Sequence, residues 1–230
     1  MTGVLQLLLI AALSYLAGSI PTSILIGRLF FGKDPRNFGS GNAGGTNAFR
    51  VLGWKAGAAT VVVDVGKGVI AALLISRLPA PAAVPHEIVQ ILAGASAVAG
   101  HIWTVFAGFR GGKGVGTAAG IVIALYPLAI AAAAGVFGIV LILSGIVSLS
   151  SLTAALAFPF IVLALNAVGA TGASPILLYF SIPLVALIFF THRSNIRRLL
   201  SGTENRFEKL RIFHRLLRRR APEEKNPPKK

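Results

Sequence analysis

Hydrophobic runs separated by short polar breaks organise this chain. A run of about 20 apolar residues is long enough to cross the hydrocarbon core of a bilayer as a helix. Val4 to Phe30 reads as a first span, with Gly18 and Pro21 inside it and Arg28 near its end. Ala56 to Ser76 reads as a second, interrupted by Asp64 and Lys67. A Pro-rich turn, Arg77 to Pro85, leads to a third span, Ile88 to Ala107. From Gly114 to His192 there is no Asp, Glu, Lys or Arg, which leaves room for three or four helices. Breaks are expected at Tyr126-Pro127, at Ser148 to Ser151 and at Gly169 to Pro175, which makes the span from Val115 to Tyr126 short.

The basic residues choose between three and four. Lys33, Arg36, Arg50 and Lys55 crowd the first polar segment, Arg110 and Lys113 the second, and a third begins at Arg193. Segments rich in Lys and Arg stay cytoplasmic, so the number of spans between two of them is even. The prediction is an all-α integral membrane protein with seven transmembrane helices, N-terminus outside and C-terminus cytoplasmic. Arg77 is then the one basic residue in an outer loop. Residues 1–202 form the membrane domain, with cytoplasmic motif loops at 32–55, 108–117 and 192–202. The opening run lacks a basic leader and exceeds a signal peptide's apolar core, so it reads as a retained span.

Composition agrees: 55% of residues are hydrophobic and 13% charged, against about a quarter charged in soluble domains. The net charge of +15 would suggest nucleic acid in a soluble protein. Its placement at the ends of spans points instead to a bilayer with an anionic inner leaflet, and no nucleic-acid partner is expected. Residues 203–230 form a basic tail. Phe207, Leu210, Phe213 and Leu217 recur at helical spacing among arginines, which suits either a helix lying on that leaflet or a solvated tail. Ala221 to Lys230 is expected to be disordered. The chain has no cysteine, so disulfides, thiolate metal sites and a cysteine nucleophile are excluded. Neither paired carboxylates nor metal-ligand spacings accompany the motifs, and no metal or cofactor is expected.

The polar segments carry the candidate chemistry. Gly39 to Arg50 combines four glycines with Ser40, Asn42, Thr46, Asn47 and a terminal arginine. Glycine permits the positive φ angles of an anion-cradling nest, and a guanidinium fits phosphate or carboxylate. A merely flexible turn would share the glycines but seldom the rest. Gly108 to Thr117 resembles a phosphate loop superficially. Its Gly-to-Gly-Lys spacing is one residue short of Walker A, and Gly114 replaces the hydroxyl that would hold Mg²⁺, so it is no nucleotide loop. It can still offer backbone N–H groups and Lys113 to a phosphate at the start of a helix. Asp64 and Lys67, three residues apart, either neutralise each other or place Lys67 as the floor of an anion site. His101 reads as a hydrogen-bonded structural residue. His192 and Asn195 share a helical face just past the last span, which suits acid–base or oxyanion work. Arg197 and Arg198 read as membrane anchors.

Taken in order, these segments resemble the PlsY family, the bacterial acyl-phosphate:glycerol-3-phosphate acyltransferases. The matching pieces are Gly39 to Arg50, Asp64-Val65-Gly66-Lys67-Gly68, Gly100-His101 with Phe109 to Thr117, and His192 to Arg206. They cover about a quarter of the chain, with Gly45 and Gly116 where the family pattern has alanine. The resemblance implies an enzyme of the bacterial plasma membrane with a cytoplasmic site. It would move a fatty acyl group from acyl phosphate to the 1-position of sn-glycerol 3-phosphate, giving lysophosphatidic acid and inorganic phosphate, the opening of phospholipid synthesis. It implies catalytic roles for Ser40, Lys113, His192 and Asn195. It implies substrate contacts from Gly41, Asn42, Thr46, Asn47, Arg50, Lys67, Gly111, Gly112, Gly114, Ser150 and Arg193. The enzyme that forms the acyl phosphate is a further partner this implies.

The residues make sense of that chemistry. Two phosphorylated substrates account for two basic, glycine-rich loops on one face. A mixed anhydride carries its own leaving group, so the glycerol hydroxyl can attack it directly, with His192 or a substrate phosphate oxygen taking the proton. A transporter or channel for a phosphorylated metabolite would need polar residues along a path through the spans, and 114–192 is mostly Ala, Val, Ile, Leu and Phe. A lipid-binding scaffold would show no turnover.

Overall fold

The computed structural model describes residues 2–170 and 175–207, and among these the chain is helical with no strand. Two helices open it, α1 (Gly3–Gly18) and α2 (Thr22–Phe31). The first polar segment holds α3 (Gly45–Val51), followed by α4 (Trp54–Leu73) and α5 (His86–Ile102). After the second come α6 (Val115–Leu125), α7 (Pro127–Ser144), α8 (Val147–Ala167), α9 (Pro175–Thr191) and the short α10 (Arg193–Leu200).

Five stretches are long and apolar enough to cross a bilayer: Gly3–Phe31, Trp54–Arg77, His86–Ala107, Pro127–Ser144 and Val147–Ala167. The pair α9 and α10, bent by 63° between them, makes a sixth if counted as one. The four helices expected between Gly114 and His192 are α6 to α9. With 11 residues, α6 is about 16 Å long, roughly half the hydrocarbon thickness.

Two boundaries differ from the sequence reading. The first span is broken at Ser19-Ile20-Pro21, because proline lacks an N–H and drives the preceding residue out of helical conformation. The released carbonyls find partners: Lys67 Nζ donates to the Ile20 oxygen at 2.5 Å, and the Thr104 hydroxyl to that of Ser19. The break expected at Ser148 to Ser151 falls earlier, at Gly145-Ile146. Gly145 takes a left-handed cap (φ 70°), the Ser144 hydroxyl accepts the Ile146 N–H, and the serines lie in the first turns of α8. The amphipathic stretch suggested from Phe207 to Leu217 lies outside the described residues apart from Phe207. That residue donates its N–H to the Gly145 oxygen at 2.8 Å.

Helix pairs meet through glycine. A Cβ on Gly18 of α1 would lie 2.0 Å from the Ala97 oxygen of α5, and one on Gly120 of α6 the same distance from the Val65 oxygen of α4. No side chain fits there, so the backbones touch, as membrane helices do when small residues line their contact. Ala72, Val98, Ile121, Leu152 and Ile188 join α4, α5, α6, α8 and α9 into one core. A second cluster, including Val122, Ala133, Phe158 and Leu177, joins α6 to α9. Outward side chains such as Leu29, Phe30 and Val62 stay exposed, as lipid-facing positions should. The chain turns between successive helices bring the starts of α3, α6 and α8 together with the end of α9.

Gly120→Ala forces a methyl into backbone and should cost about 1–3 kcal/mol, lowering the thermal midpoint of the detergent-purified protein by several degrees. Gly138→Ala, where a Cβ meets open space within α7, should leave the midpoint unchanged or raise it.

Candidate active site

The first loop is built by one buried amide. Asn47 accepts the Ser40 N–H at 2.9 Å and donates to the carbonyls of Pro35 and Phe38 at 2.7 and 3.1 Å. Gly39 (φ 61°) passes so close that a Cβ there would lie 2.4 Å from Asn47 Oδ1. A charged clasp sits beside it. Asp34 caps the turn at Arg36 and pairs with Arg28 and Arg36, each at 2.8 Å. The hydrogen bond from Arg36 holds the Asp34 carboxyl well below the usual carboxylate range. Arg36 also donates to the Ala107 oxygen at 2.9 Å, which ties the first loop to the second.

In the second loop the glycines serve packing. Gly111 and Gly112 donate their N–H groups to the carbonyls of Ile102 and His101, both at 3.0 Å, closing the end of α5. Gly114 (φ 83°) caps α6. Lys113 between them is fixed at both ends, its carbonyl accepting the Thr191 hydroxyl at 3.1 Å and its ammonium donating to Asn195 Oδ1. Asn195 in turn donates to both carboxylate oxygens of Glu204, at 3.1 and 3.2 Å, and Arg198 donates to Glu204 at 2.8 Å. The His192 ring is buried, with Nδ1 2.8 Å from the Ile188 oxygen. Nδ1 is therefore the protonated nitrogen, leaving Nε2 able to accept.

These pieces enclose a cavity of about 230 Å³. Ser40, Asn42, Thr46 and Arg50 form one wall, Lys113 and Gly114 a second, and His192, Asn195 and Glu204 a third. Burial pushes the Lys113 ammonium down to about 8, Glu204 working against that shift while Arg198 and Arg50 add to it. His192 lies one residue past α9. Burial, then the Lys113 charge, pushes it down to about 4, so it is neutral near pH 7. Burial likewise lowers Arg50, which stays charged. Both carboxylates on the lining are already paired, Glu204 with Arg198 and Asp64 with Lys67, so Lys113 and Arg50 face the cavity without an ion-pair partner among the described residues.

Several expected site residues fall elsewhere. Lys67 does not line this cavity; it is committed to Asp64 at 2.7 Å and to Ile20. Gly111 and Gly112 have spent their amides on α5, and Gly41 lies outside the lining. Asn47 borders the cavity, yet its amide is consumed in holding the loop. Ser150 bonds back to the Ile146 oxygen at 2.9 Å, while Ser148 and Ser151 front the cavity instead. Arg193 stacks on Phe190 at 4.7 Å, away from the lining. Arg198, expected as an anchor, pairs with Glu204. The residues missed are Glu204, Asp64 and His101, all on the lining. Glu204 had a signal: it is the one carboxylate within the third motif. Among the described residues no cluster of metal-ligating side chains occurs.

An apolar groove of about 280 Å³ adjoins the cavity. It runs between α6, α7, α8 and α9, floored by alanines such as Ala118, Ala133 and Ala154, and it shares Val115, Phe137 and Ser151 with the polar cavity.

A helical membrane protein in which a polar cavity bearing Lys113 and Arg50 opens into an apolar groove has the makings of a site for a molecule that is anionic at one end and oily at the other. The family model described as glycerol-3-phosphate acyltransferase matches residues 8–202. A glycerol-3-phosphate acyltransferase of Pelodictyon phaeoclathratiforme is 46% identical over 227 residues, covering 88% of this chain and 97% of its own. One of Chlorobium phaeobacteroides is 47% identical over 226 residues, covering 87% and 96%. Among solved structures, the glycerol 3-phosphate form of PlsY, an integral membrane glycerol 3-phosphate acyltransferase, superposes with a TM-score of 0.76 at 37% identity. It covers 90% of this chain and 98% of that one. The lysophosphatidic acid form of the same protein gives 0.75 and 35%, with the same coverage. The chain belongs to the glycerol-3-phosphate acyltransferase family and is an acyltransferase.

Because burial lowers Lys113, its charge is present below about pH 8 and lost as pH rises through that value. In the substrate-free enzyme kcat/KM should therefore fall on the alkaline side of pH 8, and Lys113→Arg should push that fall to higher pH. Initial rates across the range, with KM for each substrate resolved separately, check this.

Proposed function

We propose that this chain transfers a fatty acyl group from acyl phosphate to the 1-hydroxyl of sn-glycerol 3-phosphate, on the cytoplasmic side of the bacterial plasma membrane. The observation that carries this reading is the junction of cavity and groove at Val115, Phe137 and Ser151. A donor whose chain lies in the groove presents its phosphate to the cations, with the reactive carbonyl at the boundary. The glycerol oxygen attacks that carbonyl carbon, the carbon–oxygen bond to phosphate breaks, and phosphate leaves with the electron pair. The hydroxyl proton goes to a phosphate oxygen or to His192 Nε2. No acyl-enzyme is needed.

Lys113, held by Asn195, binds the leaving phosphate and neutralises the charge that develops on it. Arg50 with Ser40, Asn42 and Thr46 positions glycerol 3-phosphate in the opposite wall. Gly114 keeps the start of α6 open towards the cavity. Buried Ser148 Oγ has no hydrogen-bond partner among the described residues, and a substrate oxygen would satisfy it. Asn47, Gly41, Gly111 and Gly112 support the reaction by shaping the loops, and Lys67 by anchoring the helices beneath them.

The seven-span topology belongs to the same proposal. It takes α1 and α2 as one span, α6 as a short one, and α9 as the last, which puts the motif loops on the side where the basic residues gather. With no native cysteine, single introduced cysteines report sidedness cleanly. Ala82→Cys should react with an impermeant maleimide in intact cells and Gly202→Cys only after permeabilisation; the reverse pattern overturns the orientation.

Purified protein given acyl phosphate and glycerol 3-phosphate should release inorganic phosphate and lysophosphatidic acid in equal amounts. Acyl-coenzyme A in place of acyl phosphate should give no product, and turnover with it would overturn the donor assignment. Labelled acyl phosphate alone should leave no acyl group on the protein, and a stable acyl-enzyme would rule out direct transfer.

A further inference from the structure

At the floor of the cavity, with Asp64 and His101 on its lining, lies an ionic cluster that the proposed chemistry does not use. Asp64, Lys67 and His101 are 4%, 4% and 7% exposed, on two helices of an apolar bundle. Ionisable groups at such positions are expensive to keep and mark function more often than packing. Asp64 Oδ1 accepts from Lys67 at 2.7 Å and from Thr22 at 3.2 Å, and Lys67 also caps the broken end of α1. The cluster therefore locks α1, α2 and α4 to one another as a rigid floor.

His101 stands on that floor and supports the second loop. Its Nδ1 is 3.6 Å from Asp64 Oδ1. Its other edge meets the loop backbone so tightly that a Cβ on Gly112 would lie 2.1 Å from Nε2. Its carbonyl accepts the Gly112 N–H, and a Cβ on Gly111 would lie 2.0 Å from that same oxygen. Between His101, Lys67 and the Gly111–Gly112 turn the remaining space is about 10 Å³, room for one water at most, so the contact has little slack on that side. The next residue is Lys113.

We propose that His101 is the positioning residue for Lys113: its imidazole, braced by Asp64, sets the height of the Gly111–Gly112 turn and thereby the reach of the ammonium. This explains two adjacent glycines whose N–H groups face helix α5 instead of a ligand. It rests on the reading of Lys113 as a ligand of substrate phosphate.

The test uses the full-length enzyme in detergent, with KM for acyl phosphate and for glycerol 3-phosphate measured separately. His101→Ala should raise KM for one of them about tenfold while kcat stays within about threefold, the pattern of a misplaced binding group. His101→Gln, whose amide nitrogen reaches the place of Nε2, should restore that KM to within about threefold of the native value. Gly112→Ala should raise the same KM, and combining it with His101→Ala should relieve part of that defect, because the methyl then has room. Unchanged KM values in His101→Ala, a fall in kcat alone, or strictly additive losses in the double variant would each overturn the proposal. Should His101→Ala not fold, the combination of Gly112→Ala with His101→Gln, whose flexible chain can swing aside, gives the same comparison. Lys113→Ala separates the two levels. If it raises neither KM, the phosphate-ligand reading has failed. If it raises one that His101→Ala does not, only the positioning role has failed.

Discussion

One partly buried ammonium organises this site. Lys113 is half withdrawn from water, and a cation in such a place is steadied by pairing or hydrogen bonding. Asn195 supplies the hydrogen bond, Glu204 the nearest balancing charge, and Arg198 shares that carboxylate. The balance is incomplete, since Glu204 is shared with Arg198 and Asp64 with Lys67, which leaves Lys113 and Arg50 without an ion-pair partner among the described residues of the cavity. A doubly charged phosphate would complete it, which on the proposed reading is what draws phosphorylated substrates to this cavity.

The second constraint is that the two reactants prefer different solvents. Glycerol 3-phosphate stays in water, while a fatty acyl chain dissolves in the bilayer. The fold answers with a polar cavity and an alanine-floored groove that share three residues. Short α6 makes this possible, because its first turn faces the cavity and its remaining turns line the groove. Its brevity, which looked like an irregularity in the hydropathy pattern, is what lets one helix serve both.

Glycine has different uses in the two loops despite similar composition. Gly39 bends the chain around the Asn47 amide, whereas Gly111 and Gly112 permit contact with His101. Neither loop proved to be a bare nest of free amides. The segment Gly39 to Arg50 was legible as a polar loop because glycines, hydroxyls and amides dominate it, although Ala48 within it packs into a small core with Leu52 and Ala56. That Asn47 would be spent on Ser40, Pro35 and Phe38 was not legible, because hydrogen-bond partners depend on where a turn folds back. The serines show the same limit. Spacing identified the group at 148–151, but which hydroxyls face the cavity depends on where α8 begins, and Gly145 moved that start.

The sequence by itself determined the apolar helices, the breaks at Tyr126-Pro127 and near Gly169, and the identity of Ser40, Arg50, Lys113, His192 and Asn195 as the groups to watch. These follow from hydropathy, charge placement and local residue chemistry, all short-range properties of the chain. Tertiary structure alone decided that Glu204 would steady Asn195, that Lys67 would cap a broken helix instead of lining the cavity, and that His101 would lie under Gly112. Those are contacts between residues 9 to 47 positions apart, set by how helices with glycine-lined faces settle against one another. Packing distances of that kind have no local signature, which is why the walls of the cavity could be named in advance and the struts behind them could not.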